Sequence, residues 1–181
     1  IMNYHNITHD DMLNGSGLRV VLWVSGCSHH CKGCQNPQTW NPKSGILFDE
    51  NAKEELFTEL SKDYISGITF SGGDPLYIEN VPEVFELIKE IKEKYPTKTI
   101  WLYSGYTWEQ IMQTEFSNSD LVPNYETIYD YRKEIIKLCD VFVDGEYVEN
   151  KRDISLKWCG SSNQRIIDVQ KSIGENRIMM L

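Results

Sequence analysis

Apolar residues fall along this chain in two rhythms. Residues 18–25, 67–71, 99–104, 141–144 and 165–169 form short, nearly continuous apolar runs. Runs of that length without strict alternation predict strands covered on both faces. Between them the apolar positions recur every three or four residues. Leu56, Phe57, Leu60 and Tyr64 within 49–64, and Val81, Val84, Phe85, Ile88 and Ile91 within 80–94, predict two amphipathic helices. Asn80, followed by Pro82 and Glu83, reads as the start of the second. Thr107 with Gln110 predicts a short third helix, and Ile128, Tyr131, Ile135 and Leu138 share one face of a fourth.

Strands alternating with helices predict an α/β chain with a mostly parallel sheet backed by helices. Ligands of such sheets sit at the carboxyl ends of the strands. Four polar or glycine-rich loops follow strands directly, at 26–34, 72–74, 105–106 and 145–147, and are expected to converge on one rim. Neither an internal repeat nor a linker interrupts the pattern, so residues 1–181 read as a single domain.

Composition narrows the picture. The chain has 181 residues, a hydrophobic fraction of 40% and a net charge of −9. It can bury a substantial core, and its field repels polyanions, which argues against a general nucleic-acid binder. No apolar stretch is long enough to span a bilayer, so no membrane association and a cytoplasmic location are expected. The five cysteines are odd in number and unevenly spread: Cys27, Cys31 and Cys34 lie together, with Cys139 and Cys159 far downstream. That pattern suits reduced thiols at a metal rather than a disulfide framework.

Thiolates are soft ligands that favour zinc, copper(I) or iron-sulfur clusters. Structural zinc is usually closed by four protein ligands, often in two separated pairs, whereas here three cysteines share one loop. Three thiolates can hold three irons of a cubane and leave the fourth iron to a small molecule. The alternative is a zinc site completed by His29, His30 or Cys159. Both histidines also suit second-shell or solvent-facing roles, and Cys139 reads as a small core residue.

The cysteine spacing resembles that of the radical S-adenosylmethionine superfamily. Further segments narrow the resemblance to the activating proteins of anaerobic ribonucleoside-triphosphate reductase: 14–19 leading into 22–27, Ser71-Gly72-Gly73-Asp74-Pro75-Leu76, Trp101-Leu102-Tyr103-Ser104-Gly105-Tyr106, 140–145 and 160–165. The resemblance implies a compact partial (β/α) barrel and a 4Fe-4S cluster on Cys27, Cys31 and Cys34. It implies reductive cleavage of S-adenosylmethionine to a 5′-deoxyadenosyl radical, which takes hydrogen from a glycine of the partner, an anaerobic ribonucleoside-triphosphate reductase. A flavodoxin-like electron donor is implied as well. Activation of another glycyl-radical enzyme, a different radical S-adenosylmethionine reaction, and a non-catalytic zinc or iron-sulfur module are the other readings.

The same resemblance places the methionine amino group of the ligand at Gly72, Gly73 and Asp74, where glycine lets backbone approach closely. Ser104 and Asp144, at the ends of two further strands, join them as expected cofactor-binding residues. Asp144 equally suits the first position of an Asp-Gly turn, and 160–165 an ordinary turn into a strand. Relatives that carry an aromatic residue beside the last cysteine differ here, with Gly33 before it and Gln35 after it. Trp40 and Tyr106 are therefore the candidates for packing on adenine. Arg19 and Arg152 read as solvated surface arginines.

Overall fold

A computed structural model describes residues 1–113 and 125–181, the side chains of 125–130 excepted. Among these residues the elements are β1 (Asn3–Asp11), β2 (Arg19–Val24), β3 (Ile46–Leu47), α1 (Glu50–Leu60), β4 (Gly67–Gly72), α2 (Val81–Lys94), β5 (Thr99–Tyr103), α3 (Trp108–Met112), α4 (Tyr125–Leu138), β6 (Val141–Asp144), β7 (Arg165–Asp168) and α5 (Val169–Glu175). They build one sheet in the order β3-β1-β2-β4-β5-β6-β7. The four central strands β2, β4, β5 and β6 are parallel. β1 and β7 flank them antiparallel, with β3 antiparallel on β1. The order ends at β3 and β7 without closing, which is the expected partial barrel.

The parallel strands explain their own apolar runs, because both faces are covered. Val20, Leu22, Val24, Ile68, Phe70, Ile100, Leu102 and Phe142 pack against Leu56 and Leu60 of α1, Val84, Ile88 and Ile91 of α2, Ile111 of α3 and Ile135 of α4. The other face carries Trp101, Val141 and Val143, backed by Tyr103, Trp158 and Ile166. Burial of this kind contributes about 25 cal/mol per Å² of apolar surface. The expected fourth helix is present, with Ile135 buried and Tyr131 and Leu138 partly so, while the side chain of Ile128 lies outside the described residues.

Several local expectations change. Thr107 and Gln110 form the full reciprocal cap of α3, as read from the sequence, but Asn80 makes no side-chain cap on α2. Its amide instead donates to the carbonyls of Ser25 at 2.7 Å and Asp74 at 3.2 Å, binding two rim loops to the helix start. α1 stops at Leu60, leaving Tyr64 exposed. The apolar run at 165–169 ends as strand at Asp168, whose carboxylate accepts from Lys171 N at 3.1 Å and starts α5.

Arg19 is not a solvated arginine. It is completely buried at the amino ends of the parallel strands and donates to Thr69 Oγ1, Ser16 O, Thr99 Oγ1, Ile68 O and Thr99 O at 2.7–3.0 Å. Burial lowers its pKa to about 10, a partial offset coming from Asp140. Arginine still remains charged at neutral pH, and its planar fork ties β2, β4 and β5 together.

Candidate functional site

The four loops expected to share a rim do so. Val24 O accepts from Gly73 N at 2.8 Å and Gly26 O from Asp74 N at 2.7 Å, so the loop after β4 runs against the loop after β2. The approach is too close for a side chain: a Cβ on Gly73 would lie 2.4 Å from Gly26 O. Gly26 N donates to Thr39 O at 2.7 Å and Cys27 N to Trp40 O at 3.1 Å, which pins the base of the cysteine loop.

A cavity of about 570 Å³ opens along this rim and down the helix-free face of the sheet. Cys27, Cys31 and Cys34 line it together with Gly72, Gly73, Asp74 and Ser104, while Trp23, Tyr103 and Trp158 form its apolar floor. Asn36 N donates to Cys34 Sγ at 3.4 Å, while the backbone N–H groups of His29 and His30 favour the Cys27 thiolate and that of Tyr147 the Cys31 thiolate. Burial pushes the Cys27 thiol up to about 11 and raises that of Cys31, against the lowering effect of those N–H groups. Capture of a metal at neutral pH must therefore displace thiol protons.

The Asp74 carboxylate, 1% exposed, is fully engaged by the protein. Oδ1 accepts from Leu76 N at 2.8 Å. Oδ2 accepts from Ser104 Oγ at 2.9 Å and Gly105 N at 3.0 Å, and pairs with His29 Nε2 at 2.8 Å. The other His29 nitrogen meets Glu146 Oε1 at 2.9 Å. Burial alone would lower the His29 pKa, but its bonds to Asp74 and Glu146 and their charges outweigh that and raise it. Both nitrogens of His29 are thus committed to carboxylates rather than turned to the thiols. His30 is exposed and stacks on Trp40, with ring centroids 4.6 Å apart.

The cavity brings together all the expected site residues except Asp144, which is not part of its lining. Asp144 is buried behind the rim, accepting from Trp108 N at 2.8 Å and from Arg165 at 3.0 and 2.5 Å. The 160–165 segment braces the same loop: Gln164 Nε2 donates to Gly145 O at 3.1 Å and Asn163 Nδ2 to Glu146 O at 2.8 Å. Trp40 lines the cavity, whereas Tyr106 packs edge-on against His29 and under Arg132. Cys159 lines the far wall, and Cys139 is core, as expected. Of the roles left open to His29, the structure gives the inward-facing one, and its partner Glu146, inside a loop assigned to the rim, was not singled out from the sequence.

These residues fit an iron-sulfur cluster. Three soft thiolates flank a cavity of the size that small-molecule sites have. They line its wall rather than converge, and among the described residues no three His, Cys, Asp or Glu side chains are placed to share one ion. A cubane takes one thiolate per iron, which suits that spread.

A family model described as "4Fe-4S single cluster domain" matches residues 13–167. The chain is 43% identical over 165 residues to the anaerobic ribonucleoside-triphosphate reductase-activating protein of Enterobacteria phage T4, covering 91% of this chain and 93% of that one. It is 36% identical to the protein of the same name from Escherichia coli (strain K12), over 90% of this chain and 96% of the relative. With that of Vibrio cholerae it shares 35% identity, over 91% and 97%.

Proposed function

Because the chain belongs to the family of anaerobic ribonucleoside-triphosphate reductase-activating proteins, we propose that it cleaves S-adenosylmethionine reductively at a 4Fe-4S cluster and leaves a glycyl radical on an anaerobic ribonucleoside-triphosphate reductase. The observation that carries this reading is the cavity itself, which three thiols line together with a glycine-built backbone wall. When bound, the cluster supplies the electron that splits the sulfonium into methionine and the 5′-deoxyadenosyl radical, the species that takes hydrogen from glycine.

The polypeptide's part is placement. Cys27, Cys31 and Cys34 would hold the cluster. Gly72 and Gly73 line the wall, and their backbone would accept from the ligand's ammonium. Asp74 serves chiefly from within: its carboxylate, already bonded to Ser104 and Gly105, fixes the loop rather than offering a vacant oxygen. Ser104 borders the ligand from the end of β5, and Asp144 acts at one remove by anchoring Arg165. The apolar floor of Trp23, Tyr103 and Trp158 would exclude water from the bound ligand. The chain works as one radical S-adenosylmethionine domain in the cytoplasm, with a flavodoxin-like protein as electron donor.

The test is anaerobic reconstitution followed by reduction with S-adenosylmethionine present. The expected result is about four irons per chain, release of 5′-deoxyadenosine, and a glycine-centred doublet by electron paramagnetic resonance once the reductase from the same genome is added. Stoichiometric zinc with no 5′-deoxyadenosine overturns the proposal.

A further inference from the structure

His29 connects loops from four different strands. It sits between two of the cysteines on the loop after β2, and its ring reaches Asp74 after β4, packs at 4.6 Å against Tyr106 after β5 and meets Glu146 after β6. Its side chain is only 9% exposed. The slot that admits the ring depends on Gly105, where a Cβ would lie 2.4 Å from His29 Cδ2. Asp74, the ring's inner partner, is itself held by Ser104 Oγ, Gly105 N and Leu76 N, so the ring closes against a rigid acceptor.

We propose that His29 is a positioning residue that locks the cysteine loop onto the Gly72–Asp74 loop, so that the cluster and the S-adenosylmethionine ligand meet in one fixed relation. This rests on the reading that the loop holds a cluster. Among the described residues, the other side-chain contact of the span between Cys27 and Cys31 is the stack of His30 on Trp40. Partners that orient metal ligands in this way typically change metal affinity or activity 10- to 100-fold when lost.

The experiment uses the reconstituted full-length chain carrying His29→Phe, Gly105→Ala, His29→Ala, or the last two combined. Iron release to an anaerobic chelator is followed, together with the S-adenosylmethionine concentration that half-converts the reduced cluster's paramagnetic resonance spectrum. His29→Phe and Gly105→Ala are each expected to speed iron release and raise that concentration by about tenfold or more. In the His29→Ala background the added methyl of Gly105→Ala enters an empty slot and should change neither reading by more than about twofold. Equal behaviour of wild type, His29→Phe and Gly105→Ala overturns the inference, as do losses from His29→Ala and Gly105→Ala that simply add. If His29→Phe does not fold, the Gly105→Ala comparison decides. Wild-type protein that binds no iron in the same assay counts against the proposed function instead.

Discussion

Arg165 and Asp144 form a two-toothed ion pair across the antiparallel β6–β7 ladder, with Nε 3.0 Å from Oδ1 and Nη2 2.5 Å from Oδ2. Arg165 makes a second fork onto Glu109 of α3, at 2.9 and 2.6 Å. A partly exposed arginine thereby neutralises a carboxylate that is 1% exposed. Removing one partner of such a pair strands the other in low dielectric. Arg165→Met should therefore destabilise the fold by about 3 kcal/mol, read from urea unfolding. An unchanged midpoint would mean that Asp144 is satisfied without it.

The same arginine gives a pH signature. Its hydrogen bonds hold Glu109 below the ordinary glutamate pKa. Just below the ordinary value the unfolded chain binds the proton more readily, so the stabilisation is full above that value and fades as pH falls through the folded one. As pH falls below about 4.3, wild type should lose stability more steeply than Arg165→Met. Since Glu109 is 44% exposed, solvent screening keeps this difference small. Parallel curves would contradict the pairing.

Arg19 lies at the other end of the sheet, about 16 Å along β2 from the cysteine loop at the usual strand rise. Arg19→Leu deprives the carbonyls of Ile68 and Thr99 and the hydroxyl of Thr69 of a buried donor. We expect a loss of about 3 kcal/mol or more in unfolding free energy, with normal iron content in the fraction that folds. Defective iron binding by folded protein would show that the two ends of the sheet are coupled.

Gly73→Ala tests the backbone wall. Its methyl meets Gly26 O at 2.4 Å, so the loops after β2 and β4 must separate. Misplacement on the scale of an ångström can cost about 100-fold in rate, and 5′-deoxyadenosine formation should fall accordingly. Near-normal turnover would show that the ligand does not depend on this approach.

Among the five cysteines the outcomes should divide three to two. Changing Cys27, Cys31 or Cys34 to Ala should each abolish cluster retention, measured as iron and sulfide per chain. Cys139→Ala should keep the cluster while losing roughly 1 kcal/mol from a fully buried site. Cys159→Ala should keep it too. Cluster loss from Cys159→Ala would make that thiol a ligand.

Much of this molecule follows from the order of its residues. The parallel strands are covered on both faces, so β2, β4, β5 and β6 announce themselves as short, mostly apolar runs, and the periodic helices α1 and α2 lie between them. β1 escaped that reading because only Tyr4 and Ile7 of its nine residues are buried and the ladder slips register twice, which erases both alternation and run. Arg19 was misread for a related reason: it is polar, and its partners Ile68, Thr69 and Thr99 lie far away in sequence on other strands, so nothing local marks it as buried.

Three thiols within eight residues need no fold to declare a soft metal site, because ligand type and spacing are properties of the chain itself. Which further residues serve that site was decided by the sheet. The parallel strands carry Asp74 and Glu146 to His29 from 45 and 117 positions away, while Asp144 is drawn behind the rim by Arg165. Hydrogen bonds form between neighbours in space, and a sequence lists neighbours only along the backbone.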